Sequence, residues 1–264
     1  LTVAQKTFCL QDLLKMVNKE NLLKEFQRIK ALGFVQSLRS NNTGIGFTFE
    51  YHLGITENNK KNPDFEGIEV KSQRARSNSY VTIFTKSPSF PAKVNATLTG
   101  KFGTPDKTFP ALKVLHTSCF GNCFNSHIGG YSFGLKVDRS IHRVLLQIKS
   151  IKNQSLESTE IYWTFEDLRQ RISDKLRAML FVRADSKKVG DFEYFHYTSA
   201  IFYLDLNFDK FLKGIEDGLI MFDIRIGAYK TLHSKSFGKP HDHGSCFRIR
   251  GVKLELLFEE MVVV

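Results

Sequence analysis

The stretch Gly67-Ile68-Glu69-Val70-Lys71 alternates apolar and charged side chains. A period of two marks a strand with one face in a core and the other facing out. On such a strand Ile68 and Val70 anchor one side, and Glu69 and Lys71 share the other. The preceding Asn62-Pro63-Asp64 is a turn sequence, and a turn there folds Asp64 back toward Glu69. Two carboxylates beside one ammonium, with the Val70 carbonyl as a further oxygen, form a small cage for a hard divalent cation. The same residues also read as a half-buried strand with solvated charges, and spacing alone does not separate the two readings.

Charge narrows the choice. Lys and Arg total 38 against 27 Asp and Glu, a formal charge of +11 with pI near 9.4, which favours a polyanionic partner. No run of 18 apolar residues occurs, so no membrane-spanning helix is expected. Residues 1–14 lack the apolar core of a signal peptide, and the scattered Cys9, Cys119, Cys123 and Cys246 fit a reducing compartment. Cys119 and Cys123 have the spacing of half a zinc site, but no second ligand pair follows.

Along the chain, apolar residues from Leu10 to Leu32 recur at helical spacing. A polar loop at 39–46 leads into a short helix starting near Thr43 and carrying Phe47, Phe49 and Glu50. Glu50 reads either as a second carboxylate for the Asp64 cleft or as a surface charge. Strands are predicted at 80–85, 131–137, 143–151, 180–184, 194–203 and 219–226. Helices are predicted from the Thr164 cap through Met179, and over 209–218. Residues 87–130, rich in Gly, Ser and Thr and carrying Pro88, Pro91, Pro105 and Pro110, read as an irregular insertion with a short strand near 112–115. Residues 247–257 read as strand or helix before an apolar tail. Interleaved helices and strands predict an α/β or α+β fold with a mixed sheet flanked by helices.

A second polar cluster lies near the end. Asp223 and Arg225 share one face of the strand predicted at 219–226, Tyr229 lies just beyond it, and His241, His243 and Arg248 follow a basic loop at 230–239. Arg pairs with guanine O6 and N7, and a carboxylate accepts from cytosine N4, so Arg225 and Asp223 together suit a G·C pair. His241 and His243 also invite a metal reading, without a third ligand at telling spacing. A hairpin with simply solvated polar residues has the same spacing.

Taken together, these segments resemble the MvaI/BcnI-type restriction endonucleases, nearer their MvaI arm, in the MutH-like branch of the PD-(D/E)XK nucleases. The resemblance is carried in order by Asn42 to Glu50, Pro63 to Lys71, Phe84 to Pro88, Ile161 to Phe165, Asp223 to Tyr229 and His241 to Arg248. It implies a two-lobed clamp on double-stranded DNA. Residues 1–130 would be mainly the catalytic lobe, with a helical arm and the 87–130 insertion. Residues 131–264 would hold the remaining core and the base-reading lobe.

By that resemblance Asp64, Glu69 and Lys71 are the catalytic triplet, Glu50 supports them, and Asp64, Glu69 and Val70 hold Mg2+. Asp223, Arg225, Tyr229, His241, His243 and Arg248 contact DNA. The implied activity is hydrolysis at a short G·C-flanked site of the CC-N-GG kind, leaving 5′-phosphates, by a monomer cutting the strands in turn. A cytoplasmic setting in a bacterium or archaeon, and a cognate DNA methyltransferase as genetic partner, come with it. A MutH-like nickase of mismatch repair and a DNA-binding module without activity are the alternatives. Residues 89–128, the N-terminal arm and residues 230–240 follow the family pattern poorly.

Overall fold

The computed structural model describes residues 10–55, 63–65 and 67–264. In order, its first elements are α1 (Leu10–Ala31), β1 (Val35–Gln36), α2 (Gly44–His52), β2 (Glu69–Arg74) and β3 (Tyr80–Thr85). Next come α3 (Val94–Phe102), β4 (Thr104–Pro105), β5 (Lys113–Cys119), β6 (Tyr131–Asp138), β7 (Arg143–Ser150) and β8 (Leu156–Thr164). After α4 (Phe165–Lys175) follow β9 (Ala178–Val189), β10 (Phe192–Leu206), α5 (Phe208–Glu216) and β11 (Ile220–Ala228). The chain closes with β12 (Pro240–Asp242), β13 (Cys246–Arg250), a 3-10 turn over Gly251–Leu257, and β14 (Phe258–Val263).

These elements form two compact units, each discontinuous in sequence. One comprises Leu1–Ser77, Asp174–Leu206 and Phe258–Val264, and the other Asn78–Ser173 and Asn207–Leu257. The sequence expectation cut the chain serially near residue 130, whereas the units interleave.

The first unit is built on a sheet of order β1-β10-β9-β2, with β14 also paired to β10. β2 runs parallel to β9, setting Glu69 opposite Met179 and Lys71 opposite Phe181. Parallel strands covered on both faces are near-continuously apolar, and Met179, Leu180, Phe181 and Val182 are all buried. Over one face pack α1, through Phe26 and Ile29, and α2, through Ile45 and Phe49. Phe26 and Phe49 are each fully buried, which stabilises by roughly 1.5–3 kcal/mol apiece. The buried Tyr197 hydroxyl of β10 donates to the Ile45 carbonyl at 2.8 Å, and its ring lies 4.9 Å from that of Phe49. That polar tie fixes α2 over the sheet, and with it Glu50.

The second unit holds a sheet of order β3-β13-β11-β5-β4, with β12 on β11, and a meander β6-β7-β8. Its core is aromatic: Trp163 contacts Phe222 and Phe247 edge-on, and Phe84 and Phe211 pack on Phe247. The Trp163 indole N–H is satisfied by the Lys86 carbonyl at 2.9 Å. Thr164 caps α4 as expected, its hydroxyl accepting from the Asp167 amide at 3.1 Å.

Several expectations need correction. Residues 87–130 are not a mainly irregular insertion: they contain α3, β4 and a β5 that extends to Cys119. β8 was not expected, and α4 ends at Lys175 rather than continuing to Met179. Residues 246–263 resolve into a strand, a 3-10 turn and a second strand formed by the apolar tail. No helix among the described residues is long and apolar enough to cross a membrane.

Candidate active site

Glu69 opens β2 with its side chain 0% exposed, and Lys71, on the same strand face, donates from Nζ to Glu69 Oε1. Before the strand, Phe65 and Ile68 exchange both backbone hydrogen bonds, at 3.0 and 2.7 Å, across a tight turn. Gly67 sits in that turn at φ 90°, a conformation costly for any residue with a Cβ. The turn carries Asp64 back over the strand, where its Oδ2 accepts from the Val70 amide at 3.0 Å. Asn62 of the expected turn, and Glu66 within the motif, lie outside the described residues.

Glu69 has a further neighbour that the motif did not announce. Lys175, the last residue of α4, places Nζ 3.2 Å from Glu69 Oε2. That oxygen is buried and accepts no hydrogen bond, so Lys175 meets it by charge without the alignment of a hydrogen bond. Glu50 on α2 is half-buried, and its charge is felt at Lys71 and at the Tyr197 phenol. The structure therefore brings Asp64, Glu69, Lys71 and Glu50 into one electrostatic cluster, and adds Lys175.

Burial pushes the Glu69 carboxyl above its ordinary value of 4.5; Lys71 opposes this, Asp64 reinforces it, and Lys175 again opposes it. At Lys71 burial pulls the amine down, but Glu69, Asp64 and Glu50 together outweigh it and leave the amine raised and charged.

A divalent cation fits this donor set. Glu69 Oε2 is a buried oxygen with no hydrogen bond to lose, and the Asp64 carboxylate is held by the next strand residue. No group of three or more His, Cys, Asp or Glu among the described residues converges as a complete cage. Two carboxylates that leave further positions open suit a hard divalent cation rather than a closed structural metal site. At the expected zinc positions Cys119 is buried and Cys123 exposed, and among the described residues no third His, Cys, Asp or Glu groups with His241 and His243.

In the second unit, β11 carries the other predicted cluster. Asp223 and Arg225 point the same way, opposite Ser118 and His116 of β5. Asp223 is already engaged: Oδ1 accepts from Ser118 Oγ at 3.0 Å and Oδ2 from Arg248 Nη1 at 2.9 Å. Arg248 also donates from Nη2 to the Tyr80 carbonyl at 2.9 Å, while its Nε is buried without a hydrogen bond. Asp223 thus partners Arg248, not Arg225, whose side chain is exposed. Across β12, His241 stacks on Tyr229 at 4.2 Å and lies 4.4 Å from His243, with His116 6.4 Å beyond His243. His243 lies over Gly227, where a Cβ would fall 2.5 Å from the imidazole Nε2. Burial, then the neighbouring His241, His116 and Arg225, hold His243 below its ordinary 6.5. The result is a polar, aromatic face able to donate and accept hydrogen bonds at several points.

Sequence reasoning missed Lys175, His116 and Ser118. Ser118 and His116 sit on β5 inside the segment read as irregular, and only strand register reveals them.

Comparison with known proteins places these features in context. A family model described as the MvaI/BcnI restriction endonuclease family matches residues 23–258. Among solved structures, the chain is similar to restriction endonuclease MvaI in complex with its cognate DNA substrate. That match has 35% identity and a TM-score of 0.83, covering 92% of this chain and 97% of the other. It is also similar to MvaI in the absence of DNA, at 33% identity and a TM-score of 0.64, covering 94% and 97%. No curated protein matches.

Proposed function

Since the chain belongs to the MvaI/BcnI restriction endonuclease family, a family of Type II site-specific deoxyribonucleases that generally use divalent metal ions, we propose that it cuts double-stranded DNA with Mg2+. Asp64, Glu69 and Lys71 carry the chemistry in this reading. The observation behind it is the buried Glu69 carboxylate, ionically engaged by two lysines and faced by Asp64.

Asp64, Glu69 and the Val70 carbonyl would hold the cation, which when bound supplies Lewis acidity to the phosphate and acidifies a water. Lys71 Nζ, kept protonated by the surrounding carboxylates, donates to the attacking water or to a phosphate oxygen and offsets the charge that grows there. Glu50, fixed by the Tyr197–Ile45 tie under α2, adds a negative charge that keeps Lys71 protonated. Water adds to phosphorus and gives up a proton to solvent, the O3′–P bond breaks, and the departing 3′ oxygen takes a proton from solvent, so the ends carry 5′-phosphate. Arg225, Arg248, Asp223, Tyr229, His241 and His243 read base edges. With Asp223 committed to Arg248, these two act as one unit: the carboxylate fixes the guanidinium plane before it meets a guanine. In our reading the protein acts as a monomer, cutting the strands in turn at a G·C-flanked CC-N-GG-type site, with a cognate methyltransferase protecting host DNA.

Digestion of a long DNA of known sequence with Mg2+, followed by end sequencing, tests this directly. Discrete double-strand cuts with 5′-phosphates at one short sequence are expected. Lys71→Ala should bind the same DNA and lose cleavage by orders of magnitude. Cleavage by that variant at an ordinary rate, or single-strand nicks alone from the parent protein, would refute the reading.

A further inference from the structure

We propose that Lys175 is a built-in stand-in for the metal: its ammonium occupies the cation-facing oxygen of Glu69 in the free protein and must be displaced for the metal to load. The inference rests on the metal-site reading above and concerns a residue outside the catalytic motif.

The geometry is specific. Glu69 Oε1 is taken by Lys71, which sits on the same strand and belongs to the motif. Oε2 faces Lys175, from a different element, at 3.2 Å and with 17% of its side chain exposed. Among the described residues no hydrogen bond ties Oε2, so the neighbour that meets its lone pairs is the Lys175 charge. A cation binding Oε2 and Lys175 cannot both sit there, because two positive groups would then share one buried oxygen.

The sequence allows the exchange. Lys175 is the C-terminal residue of α4, on a four-carbon stem with free rotors, and the helix C-terminus itself favours a nearby positive charge. Once displaced, the ammonium can swing away without breaking a hydrogen bond to Glu69. Lys71 has no such freedom, being the donor to Oε1. The two lysines therefore have separate tasks. Lys71 works with the metal, and Lys175 works against it until a phosphate, by adding negative charge, shifts the balance. Lys175 is a positioning residue in this scheme, and its effect is to keep metal affinity low in the free protein.

The test is a Mn2+ titration of the free protein at pH 8, followed by the paramagnetic signal of unbound Mn2+. Lys175→Met should bind at least fivefold more tightly than the parent protein, a gain that general loss of structure would not produce. Lys175→Gln, polar and close in length, makes the same measurement should the methionine variant not fold. Lys175→Arg, which keeps the charge, should stay near the parent value. Unchanged or weaker Mn2+ binding in the Met and Gln variants overturns the inference. Glu69→Gln separates the two levels: if it leaves Mn2+ binding of the parent protein untouched, the metal-site reading itself falls.

Discussion

Replacing Glu69 by glutamine should make the metal-free protein more stable while abolishing cleavage. The side chain is 0% exposed, and taking a carboxylate out of water costs several kcal/mol even after relaxation. Against this stand Lys71 and Lys175. For Lys175 at 3.2 Å, an effective dielectric of about 20 gives 332/(20 × 3.2), or about 5 kcal/mol before side-chain entropy is deducted. Lys71 opposes burial in the same sense, and the raised carboxyl marks burial as the largest influence. Glutamine keeps the shape and removes the charge, so the variant is expected to be the more stable of the two at pH 8.

The sign can be checked with pH. A carboxyl whose folded value is raised contributes stability that is present below its unfolded value of 4.5 and lost as pH rises through the folded one. The advantage of Glu69→Gln should therefore shrink as pH falls and vanish only well below 4.5, where the parent residue is protonated in both states. Urea unfolding of both proteins in EDTA across this range is the assay. A variant less stable than its parent at pH 8, or a gap independent of pH, would show that the lysines outweigh burial.

Three other outcomes are open to measurement. Tyr197→Phe removes the buried bond to the Ile45 carbonyl and should cost about 1–2 kcal/mol in urea unfolding; no change would mean that the tie does not hold α2. Arg225→Ala should cost about 1–3 kcal/mol at one base pair in a cleavage series over single-base site variants, whereas a uniform loss would make it a phosphate contact. Because His243 is held below 6.5, its imidazole is neutral above that pH, so site preference should be flat from there upward and change only in acid. His243→Ala should remove that acid limb; a limb that persists assigns it to another group.

The strand of the cluster was legible in the alternation up to Lys71, but Gly67 lies in the turn before it and Glu69 is buried rather than on an open face, which local spacing did not show. The order of helices and strands was legible for similar reasons. α3 was not, because Asn95, Thr97, Thr99 and Gly100 are weak helix formers held by tertiary packing at Leu98 and Phe102. The ends of β9 and β10 escaped too, since Asp185, Lys187 and Lys188 form an exposed ribbon with no apolar alternation to report it. Lys175 meets Glu69 across 106 positions, 175 minus 69, and nothing local encodes that contact. The Asp223–Arg248 pair was hidden by the more obvious neighbour: same-strand spacing suggested Arg225, while strand pairing delivered an arginine from β13.

The chain passes between its two units after residues 77, 173, 206 and 257. An engineer wishing to exchange the second unit of this nuclease therefore cannot do it with one splice. Two blocks, 78–173 and 207–257, would have to be exchanged together at four seams, and a library recombined at a single crossover would yield chimaeras lacking a complete unit.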